Sequence, residues 1–350
     1  MSARRVMTGL AASLLALIGP SALAQTICDR PQVEGAPHMV IMLWRGPTEV
    51  ERGLDDGLAA SGHAVNVTCL SAEQDRANLP AMIAEARRLA PDLIYTWGTS
   101  VSLATLGPVD GADPERHIIN IPAVFTMVSY PVESGLVESF EAPGRDATGS
   151  SHTVPLGAQL RAMQSYRPVS AIGVLFNPLE ENSVINVQGL TAVAREAGVE
   201  IHALPVPLDA AGAPDPSALP RLVRELAARQ PQFLFIGPDS FIGEHRDTVI
   251  GEAIALGLPS FTGTELEIVN GRATVGLVTS YYNLGRYMAA LVEQVLIDGT
   301  PPRDIPVRTL SRFTYMVRMP EARELGLHPG LDILDFAEII TEPLPPGDPE

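Results

Sequence analysis

The side chains best suited to hold a small solute fall into two sets, each placed where an apolar run gives way to a helical pattern. Thr99 and Ser100 follow the run ending at Trp97, and Ser129 with Tyr130 follows the run ending at Val128. Hydroxyls beside the free N–H groups of a helix N-terminus favour a carboxylate. The second set is rich in acids and amides: Asn177, Glu180, Glu181, Asn182 and Ser183 after the run Ala171 to Phe176, then Asp239 with Ser240, then Thr264 with Glu265. Acids of this kind suit an ammonium ion. Together the two sets predict a grip on an amphoteric small molecule from both ends, with Asp239 the leading candidate for the amine. Trp44, Trp97 and Tyr130 offer surfaces for stacking, and Arg45 offers a cation that can pair with a carboxylate. Each has a plainer use as well. Thr99, Ser100, Asn182 and Ser183 are good helix caps, one of the adjacent Glu180 and Glu181 is expected to face water, and Trp97 suits a core.

Composition removes several other chemistries. The 24 basic residues are all arginine, so a phosphate-loop lysine, a Schiff-base lysine and a lysine general base are excluded together. The seven histidines (38, 63, 117, 152, 202, 245 and 328) show no metal-ligand spacing, and the two cysteines form no CxxC, so neither metal nor cofactor is expected. Gly98-Thr99-Ser100-Val101-Ser102 resembles the nucleophile elbow of α/β-hydrolases, but Ser102 stands in place of its second glycine and no base is evident. The chain is therefore expected not to be an enzyme. Forty-one acids give a formal charge of −17, which makes nucleic acid and anionic membranes poor partners.

These residues must be positioned by a regular scaffold. Residues 1–24 have Arg4 and Arg5, an apolar run from Leu10 to Ile18 and Ala22-Leu23-Ala24, the layout of a secretory signal peptide. In an oxidising compartment Cys28 and Cys69 are expected to be bridged, stabilising the fold by roughly 3 to 4 kcal/mol. From His38 onward, buried-strand runs ending at Trp44, Cys69, Trp97 and Val128 alternate with helical patterns over Glu49–Ser61, Asn78–Leu89 and Thr99–Leu106. After a helical pattern over Leu156–Tyr166 the order starts again, with strands ending at Phe176, Ala203, Ile236 and Thr262. The helical patterns of this half run over Val184–Ala197, Ser217–Arg229 and Arg246–Leu256. The halves echo one another: PDLIYTWGTS at 91–100 and PQFLFIGPDS at 231–240 share Pro, an apolar strand, a glycine and a serine. This order predicts α/β architecture with two doubly wound parallel sheets. Crossings between them are expected near 142–151 and 277–280, and the acidic, proline-rich end, residues 341–350, reads as a disordered tail.

IGVLFNPLEENSV (172–184), GTSVS (98–102), VESGLVESFEAPGRDATGSS (132–151) and YYNLGRYMAALVEQVLIDG (281–299) together resemble periplasmic substrate-binding proteins of ABC importers with the type I fold. The likeness is to the tryptophan/tyrosine-type components in particular and runs over about residues 36–340. It implies two hinged lobes, residues 36–153 with 277–302 and residues 154–276 with 303–340, closing on a ligand in the cleft. It also implies a monomer in the periplasm that hands a small ligand, with an amino acid, possibly aromatic, the leading candidate, to a membrane permease. Ser129-Tyr130-Pro131 and Gly263-Thr264-Glu265 depart from the family pattern, so other small acids and amino-acid derivatives stay open. A ligand-sensing subunit that reports to a membrane receptor would have the same sequence features.

Overall fold

The computed structural model describes residues 26–344; the predicted signal peptide and residues 345–350 of the predicted tail lie outside them. The first half runs β1 (His38–Leu43), α1 (Glu49–Ser61), β2 (Asn66–Ser71), α2 (Leu79–Leu89), β3 (Leu93–Trp97), α3 (Thr99–Leu106), β4 (Ala123–Val128) and β5 (Ala147–Ser151). The second runs α4 (Leu156–Tyr166), β6 (Ala171–Phe176), α5 (Glu181–Glu196), β7 (Glu200–Pro205), α6 (Leu219–Ala228), β8 (Phe233–Ile236), α7 (Ser240–Glu244), α8 (Arg246–Ala255), β9 (Ser260–Thr262), α9 (Glu265–Val269) and β10 (Val275–Val278). There follow α10 (Tyr281–Leu296), β11 (Arg308–Thr309), β12 (Thr314–Arg318), α11 (Met319–Glu324), α12 (Leu331–Leu334) and β13 (Glu338–Ile340). No helix among the described residues is long and apolar enough to cross a membrane.

Strands made only of apolar or small residues are buried on both faces, and helices cover each side. The first sheet has the order β11-β5-β4-β3-β1-β2 and is parallel throughout. The second has the order β13-β12-β10-β9-β8-β6-β7, in which only the β10–β12 pairing is antiparallel, so β12 and β13 run against the other five strands. Each sheet therefore reverses its winding once: between β1 and β3 in the first lobe, between β6 and β8 in the second. The carboxyl ends of strands at such a reversal leave a crevice that the connecting helices do not fill.

The expected lobe boundaries need correction. Val275–Val278 pairs with β9 and β12, so residues 277 and 278 belong to the second sheet. Arg308 and Thr309 pair with Ser150 and Ser151, so residues 303–309 stay with the first. The chain thus passes between lobes three times, at His152–Pro155, at Thr279–Ser280 and at Leu310–Phe313. The cause lies in α10. Although it follows β10 of the second sheet in sequence, this helix packs on α1, where Gly53 and Gly285 bring the two backbones so close that a Cβ on either would collide with the facing helix.

Local signals explain the element ends. Thr48 caps α1 by accepting from the Val50 N–H (3.2 Å), while Glu51 reaches back to the Thr48 N–H (2.9 Å), and Gly62 ends the helix at φ 77°. The disulfide joins Cys28 to Cys69, as expected, tying the N-terminal turn to β2 with the Cα atoms 5.5 Å apart.

Candidate functional site

Between the lobes lies a cleft with about 560 Å³ of space free of protein atoms, counting that open at its mouth. Such a volume suits a small organic ligand. Its walls are the segments that follow β1, β3 and β4 on one side and β6, β8 and β9 on the other, joined by His152 from the first crossing and Tyr281 just after the second.

The first-lobe wall is rich in donors. Helix α3 starts at Thr99 with no side chain capping its N-terminus, and Gly98 before it holds φ 84° so that the backbone turns directly from strand to helix. The amides of the first turn are left for whatever enters the cleft. Thr99 Oγ1, Trp97 Nε1 and His152 Nδ1 are all buried without a hydrogen-bond partner in the protein. Buried polar atoms are rarely left unpaired, and these three belong to residues that line one cavity. The Arg45 guanidinium lies over the Trp97 ring, 5.0 Å from its centre, and no carboxylate lies within ion-pair distance of it among the described residues. Ser100 accepts a hydrogen bond from Arg76 (3.2 Å). A bulge in β4 puts Met127 at φ 55° against the cleft and brings Ser129 to the rim. Burial lowers the His152 pKa to about 4, so the ring is neutral at pH 7.

The second-lobe wall is acidic. Asp239 Oδ2 accepts from the Asn177 N–H (2.7 Å) and from the Ser183 hydroxyl, and its Oδ1 accepts from the Ile242 N–H (2.9 Å), which caps α7. Glu180 Oε1 accepts from Asn182 Nδ2 (3.1 Å) and Ser240 Oγ (2.9 Å), and the Ser240 N–H is shared between its two oxygens. With two lone pairs to an oxygen, one acceptor place remains on Asp239 Oδ1 and one on Glu180 Oε2. Burial and the neighbouring Asp239 push the Glu180 pKa up to about 7, and burial raises that of Asp239. Behind them Glu267 accepts from Thr264 Oγ1, and burial raises its pKa too.

Of the side chains singled out in the sequence, Trp44, Arg45, Thr99, Ser100, Ser129, Glu180, Asn182, Asp239, Ser240 and Thr264 line the cleft. Four do not. Asn177 and Ser183 stand behind Asp239 and orient it, and Asn177 also accepts from the Leu179 N–H (3.0 Å) to close its own turn. Glu265 turns away to accept from the Tyr281 N–H and lines a separate, larger cavity beside Arg52 and Tyr282. The Tyr130 hydroxyl accepts from Asn186 Nδ2 of the other lobe. Sequence reasoning missed Met127, His152, Leu266 and Glu267. His152 shows its role only through the crossing it starts, and Glu267 sits two residues beyond the acid that the turn pattern favoured. Trp97, which the sequence left between core and cleft, belongs to both, and so does Tyr281.

Comparison with known proteins agrees with this arrangement. The chain is 24% identical over 278 residues to a "Tyrosine-binding protein" of Clostridioides difficile, covering 79% of this chain and 75% of that one. A solved Streptococcus pneumoniae ABC domain in complex with L-Trp superposes with a TM-score of 0.76 at 21% identity, over 87% of this chain and 100% of the other. The ligand-free, open structure of a substrate-binding protein with adhesive properties from Clostridium difficile gives 0.66 at 19% identity, over 87% and 99%. The family model for ABC transporter substrate binding proteins matches residues 40–338, and with two hinged sheets meeting at their carboxyl edges, the chain belongs to that family.

Proposed function

We propose that the protein captures a zwitterionic amino acid, with an aromatic side chain the leading candidate, outside the cytoplasm and delivers it to an ABC permease. The supporting observation is the match of opposite demands across the cleft: an uncapped helix N-terminus with the unpaired Thr99 hydroxyl on one lobe, and two free carboxylate acceptor places on the other. An α-carboxylate answers the first and an α-ammonium the second. A ligand held in this way touches both lobes and so favours their closed arrangement. Trp44, the Arg45–Trp97 stack, Met127 and Tyr281 supply apolar and aromatic surface for the side chain. The relatives that bind tyrosine and tryptophan support this choice of ligand.

The test is a thermal-shift screen of the mature protein against the amino acids and their deaminated and decarboxylated analogues, followed by calorimetry of each hit. Ligands with both α-groups are expected to raise the melting temperature, and analogues lacking either group to fail. Glu180→Gln is expected to weaken the best hit about ten- to hundredfold, the size of a hydrogen bond to a charged group. Equal binding of the deaminated analogue would remove the acidic wall from the site.

A further inference from the structure

We infer that Tyr130 and Asn186 form a closing latch, setting how long the solute is held without touching it. Tyr130 follows β4 on the first lobe, and Asn186 lies on α5 of the second. Asn186 Nδ2 donates to the Tyr130 hydroxyl at 2.6 Å. Away from the crossing segments and Tyr281, which directly follows one, no other side-chain hydrogen bond or ion pair joins the lobes among the described residues. Neither residue lines the cleft. The bond therefore belongs to the closed arrangement and must break when the lobes part.

The surroundings hold this contact in place. Asn186 is only 2% exposed, although it sits on a helix whose outer face is in water. Its carboxamide lies against the end of β8, at Gly237, where any Cβ would collide with Asn186 Oδ1. The Tyr130 ring rises from Ser129-Tyr130-Pro131, a turn whose first residue reaches the cleft rim. Ser129 is fixed in turn by hydrogen bonds from Ser151 Oγ (2.9 Å) and Thr153 Oγ1 (2.8 Å) to its carbonyl, so the latch is anchored to the first crossing. A ligand that draws Ser129 toward the second lobe also brings the phenol to its partner.

A net hydrogen bond changes an equilibrium by about two- to twelvefold. Its loss should appear in release, since opening breaks it and encounter with the open form does not. The experiment compares wild type, Tyr130→Phe, Asn186→Ala and the double variant by stopped-flow with L-tyrosine and L-tryptophan, and by small-angle scattering without ligand. Each single variant is expected to dissociate about two- to twelvefold faster at unchanged association rate, with no further change in the double variant. The unliganded variants should scatter as more open than wild type. Additive effects in the double variant, or a change confined to association, would overturn the latch. The kinetic arm rests on the ligand proposed above and the scattering arm does not: if neither amino acid binds, identical scattering of all four proteins overturns the latch by itself.

Discussion

Asp239 has two uses that compete. Its carboxylate faces the cleft, yet it also receives two backbone amides and a hydroxyl that have no other acceptor. Removing it leaves buried donors unpaired, so Asp239→Ala is expected to lower the melting temperature of the unliganded protein as well as to abolish binding. An unchanged unliganded melt would show that these donors find water instead. Glu180 is the cleaner probe, and its titration gives a signed outcome. Its pKa rises from an ordinary 4.5 to about 7 on folding. Between these values the folded state holds more protons than the unfolded one, so this group's contribution to stability falls as pH rises through 7. His152 acts in the opposite sense, dropping from 6.5 to about 4, so its contribution is lost as pH falls below 6.5. Calorimetry of the unliganded pair is expected to show Glu180→Gln gaining on wild type from pH 5 to pH 8, and a gap independent of pH would refute the assignment. The types and turns of these residues were legible in the sequence because strand ends and caps are local. What was not legible was which acceptor places the protein itself fills, since Asn177, Ser183 and Ile242 reach Asp239 only in three dimensions.

Among the elements, the pairing of α1 with α10 decides where the first lobe ends. Gly285 faces the Val50 carbonyl, and Gly53 faces that of Tyr282, with no room for a methyl group at either. Gly285→Ala must push the helices apart and open the core formed by Val50, Leu54, Leu284 and Met288. The expected result is a loss of about 1–3 kcal/mol, measured by chemical denaturation, with the second lobe's own unfolding transition unmoved. The order of the longer strands and helices and many of their ends could be read from periodicity: α1, α3 and α4 fall on their expected residues, and β6 and β8 end where expected, but β5, β10 to β13 and the short helices α7, α9, α11 and α12 were not anticipated. Sheet membership could not. Val275–Val278 has the same apolar pattern whichever sheet it joins, and Leu310–Phe313 carries neither glycine nor proline to announce a third crossing. The motif at 281–299 was read as a family mark, and the structure gives its glycine a mechanical reason.

At the scale of the molecule, three strands of chain join two sheets whose carboxyl edges face one another, and the latch and the ligand act on the same opening. Having three connections instead of one restricts the lobes to a hinge-like swing and keeps the two walls in register each time they meet. The order of those connections has a further effect. Helix α10 and strand β11 reach the first lobe only after five of the second sheet's seven strands, β6 to β10, have been laid down in sequence. As the polypeptide emerges amino end first, the glycine-lined face of α1 must wait, uncovered, for Tyr281–Leu296, and the open side of β5 for Arg308–Thr309, both beyond the intervening strands β6 to β10. Neither half is complete until the segments beyond Tyr281 have arrived, and a nascent chain halted before Tyr281 would present a sticky, unfinished surface to the quality-control machinery of its compartment.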